Sequence, residues 1–90
     1  MRIRLIKEIE VNNLGQRIKQ ARLDSDKSLE QICQEVKMSR TYWYDIEKET
    51  LKGALSLENL RKIEEVLGID FGVKLKFEGE QSEEEAVGND

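Results

Sequence analysis

Ninety residues, 38% apolar and 38% charged, suffice for one small domain and hold no apolar run long enough for a membrane span or a signal peptide. One cysteine and no histidine exclude an internal disulfide, a multi-cysteine metal site and a His-based nucleophile–base pair, so neither an enzyme nor a cofactor is expected. The net charge of −4 is unevenly held: residues 1–77 carry all 15 Lys and Arg against 13 of the 19 acids, a balance of +2, while residues 78–90 carry only acids.

From the N-terminus, residues 2–11 alternate and are expected as a strand. Ile3 and Leu5 alternate with Arg2 and Arg4, Ile6 breaks the phase as a bulge does, and Ile9 and Val11 resume it. The period then turns helical. Asn13 is the expected cap of a helix whose inner face holds Leu14, Ile18 and Ala21, ended by Asp24-Ser25-Asp26-Lys27. Ser28 starts a second helix, with Gln31 completing a capping box and Leu29, Ile32, Cys33 and Val36 inside. Ser39 caps a third, and Met38 and Trp43 occupy the two positions of a hydrophobic staple.

Ser56 caps a fourth helix, stapled by Leu55 and Leu60, with Leu57, Leu60, Ile63 and Leu67 inward and Gly68 as a left-handed stop. Ile69 and Phe71 are expected to close the bundle. Over residues 72–78, Val73, Leu75 and Phe77 alternate with Lys74, Lys76 and Glu78, a second strand. The two terminal strands are expected to form a short β-ribbon, within the chain or across a dimer, lying on the helices. Residues 79–90 are too polar to bury a core and are expected as an acidic disordered tail, either solubilising or DNA-mimicking.

The stretch from Ser28 to Glu47 carries the function. Two short helices meet at a tight corner, and the second presents a polar, hydrogen-bonding outer side, the geometry that places a helix in the DNA major groove. Leu14-Gly15-Gln16-Arg17-Ile18-Lys19, Arg22, Ser28-Leu29-Glu30-Gln31-Ile32-Cys33, Val36-Lys37-Met38-Ser39 and Ile46-Glu47 together resemble the phage Cro and repressor type of helix-turn-helix domain, the XRE-like family. Leu55-Ser56-Leu57-Glu58-Asn59-Leu60 and Val66-Leu67-Gly68-Ile69 are similar to that family's fourth helix and its end. The resemblance runs over residues 13–70. It implies a mainly α fold, a compact four- to five-helix bundle, with residues 1–78 as a single domain and 13–70 as its helical part.

The resemblance also implies an ion pair between Arg22 and Glu47; read from the residues alone, both charges sit at the edge of a buried face and two solvated charges are the expectation. Three departures stand out. Lys37 replaces the usual corner Gly and is expected in left-handed backbone at a cost of about 1 kcal/mol. Cys33 replaces a small Ala and reads as a small buried hydrophobe rather than a reactive thiol. The loop from Lys48 to Ala54 is longer than the common form and lacks its proline, and the usual fifth helix gives way to the strand over 72–78, a change at the place of the family's customary dimer contact.

In the helix over 39–48, Trp43 and Ile46 share the inner side with Met38, leaving Arg40, Thr41, Tyr44 and Asp45 outward and Tyr42 to the side. The resemblance assigns base edges to Arg40, Thr41, Tyr44 and Asp45. Arg40 suits guanine O6 and N7, Thr41 a thymine methyl, Tyr44 a phosphate or a thymine methyl, and Asp45 cytosine N4 or a neighbouring Arg. Phosphate contacts are expected from Arg17, Ser28, Lys37, Ser39, Tyr42, Lys48 and Lys52. The aromatic run Tyr42-Trp43-Tyr44 could also stack on single strands, but Trp43 at a core position favours packing. The expected function is that of a sequence-specific transcription regulator in the cytoplasm, binding double-stranded DNA as a homodimer. A protein-interaction module, such as the antitoxin of a toxin–antitoxin pair, is the alternative, and the open strands and acidic tail motivate a protein partner.

Overall fold

A computed structural model describes residues 1–4 and 8–73 of the chain. Its elements in chain order are β1 (Arg2–Arg4), β2 (Glu8–Glu10), α1 (Leu14–Asp24), α2 (Leu29–Val36), α3 (Arg40–Lys48), β3 (Leu55–Ser56) and α4 (Leu57–Leu67). The fold is mainly helical, with a small three-stranded sheet.

The helix ends explain where the helices lie. Ser28, Ser39 and Ser56 hold extended backbone, and their hydroxyls accept the N–H groups of Gln31, Tyr42 and Asn59 at 3.1, 3.0 and 3.1 Å. Each satisfies one donor that the first helical turn would leave without a partner. Gly68 ends α4 in left-handed backbone at φ 66°.

Two of the expected caps are different. Asn13 stands in left-handed backbone at φ 62° and its side chain caps nothing. The Glu49 carboxylate, from just past α3, accepts the Gly15 N–H at 2.9 Å instead, where the helix dipole favours an anion. Gln31 turns away from Ser28 and donates to Glu35 one turn on, at 3.0 Å, so the capping box is only half closed.

The sheet divides the expected N-terminal strand. Residues 2–11 form two strands rather than one: β1 and β2 run antiparallel with Ile3 opposite Ile9, and β3 joins the far edge of β1 in parallel, with Ile3 opposite Leu55. Both edges of β1 are thereby taken by segments other than the C-terminal one. Gly72 and Val73 belong to no strand; the rest of the expected strand over 74–78, the phase break at Ile6 and the tail over 79–90 lie outside the described residues. A hairpin closes a shorter loop than end-to-end pairing would, and so costs less chain entropy.

Ile3, Leu14, Ile18, Ile32, Trp43, Ile46, Leu55, Leu60 and Ile63 are fully buried and join sheet and helices in one core. Val66 rather than Leu67 completes the buried stripe of α4, with Leu67 only partly covered. Phe71 is buried, but Ile69 is 44% exposed and does not close the bundle as expected. Arg17 donates to the Phe71 carbonyl at 2.7 Å and lies over its ring, Glu64 accepts the Phe71 N–H at 3.0 Å, and Arg61 donates to the Val73 carbonyl at 2.9 Å. These side chains lay residues 71–73 back along α1 and α4.

Candidate nucleic-acid interface

The corner between α2 and α3 is three residues, Lys37-Met38-Ser39. Lys37 stands in left-handed backbone at φ 61° and ψ 47°, and the Met38 N–H closes the turn on the Cys33 carbonyl at 3.0 Å. Met38 packs against the core in which Trp43 is fully buried, as the two positions of a hydrophobic staple require. Cys33 is buried behind it, and burial pushes its thiol pKa up, against formation of the reactive thiolate.

One buried carboxylate orients α3. Glu47 accepts Arg22 Nε at 2.6 Å and Nη2 at 3.1 Å, a forked ion pair across α1 and α3. It also accepts the Trp43 indole N–H at 2.5 Å, one turn back on its own helix. The hydrogen bond to Glu47 raises the Arg22 pKa further, more than burial lowers it. Trp43, Ile46 and Glu47 thus form the inner side, packed on α1 and α2.

The other side faces solvent. Arg40, Thr41, Tyr44 and Lys48 are exposed, and the Lys48 ammonium lies 5.9 Å from the Tyr44 ring centroid. Tyr42 is half-buried against the core. Asp45 is half-buried, and its carboxylate accepts the Thr50 hydroxyl at 3.0 Å, so it takes part in closing the end of α3.

The phosphate candidates lie on several elements. Ser28 and Ser39 are exposed; each hydroxyl accepts a backbone N–H, which leaves its own proton to donate. Lys37 is exposed at the corner, Lys48 at the end of α3 and Lys52 in the following loop. Arg17 is exposed as well, and one of its nitrogens donates to the Phe71 carbonyl.

Three residues that the sequence did not single out help hold the interface. Glu49 joins the start of α1 to the end of α3. Lys27 bridges α2 and α4 through Glu35 at 2.7 Å and the Val66 carbonyl at 3.0 Å. Arg2 reaches the Lys52 carbonyl at 3.5 Å. The Arg22–Glu47 pair is the one that the family resemblance implies, and the Trp43–Glu47 bond has a local signal, the spacing of four that brings side chains together on a helix.

Among the described residues no cluster of His, Cys, Asp and Glu could hold a metal ion, and no helix is long and apolar enough to cross a membrane. No curated protein and no solved structure matches the chain. A family model described as Helix-turn-helix matches residues 18–73, more than half of the chain, from within α1 through the corner and α3 to the segment after α4. The chain belongs to this family, the XRE and Cro-like helix-turn-helix proteins, whose members are DNA-binding transcription regulators.

Proposed function

We propose that the protein reads double-stranded DNA in a sequence-specific manner, with α3 in the major groove, as a homodimer on a pseudo-palindromic operator. The observation that carries this reading is the division of α3. Trp43, Ile46 and Glu47 anchor one side, while Arg40, Thr41 and Tyr44 stand exposed on the other. In this reading Arg40 forks onto a guanine, Thr41 packs on a thymine methyl, and Tyr44 packs on a methyl or donates to a phosphate. Asp45, oriented by Thr50, accepts from cytosine N4 at the edge of the contact. Ser28, Lys37, Ser39, Tyr42, Lys48 and Lys52 hold phosphates on either side, and Arg17 serves to seat Phe71.

A physical argument favours two copies. Nine residues of helix extend about 14 Å and face about four base pairs, too few for one copy to single out a site in a genome. Twofold pairing doubles the site and places half-sites about one helical turn apart.

Selection from random duplexes, followed by titration of variants, tests the reading. Arg40→Ala should lose roughly 1–3 kcal/mol of preference at one base pair of each half-site, whereas Lys52→Ala should weaken all duplexes alike. A protein that shows no preference among duplexes at modest salt would remove the proposal.

A further inference from the structure

The family match covers residues 18–73, and the N-terminal hairpin lies outside it. Ile3 roots β1 in the core, and its neighbours Arg2 and Arg4 point to the opposite face, each with about half of its side chain exposed. Two contacts fix where that face lies. The Arg2 guanidinium reaches the carbonyl of Lys52 at 3.5 Å, and Arg4 stands opposite Ser56 in the β1–β3 register. Ser56 is the cap residue of α4, and Lys52 sits in the loop that leaves α3. Both arginines therefore border the loop on the C-terminal flank of the proposed groove helix.

We propose that Arg2 and Arg4 form a second, phosphate-binding contact, holding the DNA backbone just outside the base pairs that α3 reads. The inference rests on the assignment of α3 to the major groove and extends the DNA footprint beyond the helix-turn-helix. The acids on the same sheet do not cancel the charge. Glu10, across from Arg2, is held by the Met1 amino group at 2.5 Å. Glu8 approaches Arg2 at 3.5 Å and Arg4 at 3.9 Å with all three side chains exposed, and exposed pairs at such distances are weak. Backbone phosphates offer each arginine an anion of its own that fits the guanidinium fork, whereas the single Glu8 carboxylate is shared between the two.

The test compares the full-length protein with its R2Q/R4Q and R2K/R4K forms on two duplexes: the selected site alone, and the same site extended by about half a helical turn at each end. On the extended duplex at low salt, R2Q/R4Q should bind about tenfold more weakly than the parent, with a salt slope shallower by about two per protomer. R2K/R4K should keep most of the affinity, and the three proteins should melt together and agree on the short duplex. Equal affinity and slope for R2Q/R4Q and a parent that does discriminate among sites would overturn the hairpin contact alone. A loss shared by both duplexes and accompanied by a lower melting temperature would overturn it too, since the arginines would then act on the fold. A parent that fails to discriminate would remove the groove assignment first, and this inference with it.

Discussion

Glu47 is the residue on which the orientation of α3 turns. Its carboxylate is nearly dry, with only 4% of the side chain exposed, and it satisfies Arg22 twice and Trp43 once. A carboxylate removed from water in this way persists only because donors surround it. Glu47→Gln keeps the shape but leaves the Arg22 charge without its partner, so about 3 kcal/mol of stability should be lost in urea unfolding. Trp43 emission reports the same event, because the indole loses a charged acceptor. Pairing the change with Arg22→Met should recover part of the loss, as a coupled pair requires. Glu49 gives a pH signature of its own. Burial alone would raise its pKa, but the bonds from the Met1 amino group and the Gly15 amide outweigh that and hold the carboxyl below its ordinary value. At acid pH the unfolded chain then binds the proton first, so the contribution is full above the ordinary carboxylate pKa and fades as pH falls through the depressed one. Thermal melts of the parent and Glu49→Gln should therefore converge on acidification, and a constant gap between them would rule out Glu49 as the source.

At the scale of elements, the α1–α3 junction sets how far α3 stands from the rest of the bundle. A Cβ built on Gly15 would lie 2.5 Å from the Glu47 carbonyl and 2.8 Å from that of Ile46. Both are backbone atoms at the end of α3, which cannot step aside as a side-chain tip can. Gly15→Ala should therefore cost about 1–3 kcal/mol by overpacking. Because relief requires α3 to move, it should also blunt discrimination between the selected site and random duplex, a loss that a stability defect alone would not produce under saturating protein. This junction shows what the sequence disclosed and what it withheld. The three serine caps, the Gly68 stop and the buried spacing of Trp43 and Ile46 were legible because each depends on residues within one turn. The cap that Glu49 supplies to Gly15 spans 34 positions, and no local pattern encodes it. The partner of β1 was missed for the same reason: period two identifies a strand but not the segment beside it. The sequence places Asp45 outward and offers Arg17 as a phosphate contact, and it holds no sign of their partners Thr50 and Phe71.

Taken as a whole, the molecule divides its charge along the chain. Residues 1–77 balance at +2 and include every Lys and Arg, whereas residues 78–90 bring the total to −4. A duplex meets both fields as it approaches. The acids repel phosphate over a distance set by the Debye length, about 10 Å at 0.1 M salt and 3 Å at 1 M. Their effect belongs to the rate of encounter more than to the fit, because base recognition is a matter of short contacts made after docking. Replacing Glu78, Glu80, Glu83, Glu84 and Glu85 with Gln moves the net charge from −4 to +1. Association with any duplex should then quicken at low salt, by about tenfold at the lower end of electrostatic steering, and the gain should shrink as salt rises toward 1 M. Preference for the selected site over random DNA should stay the same, since none of the five residues lies among the exposed groups of α3. Stopped-flow association across a salt series separates the cases: a gain that persists at high salt would mean that these acids occupy the DNA-binding side itself rather than shade it from a distance.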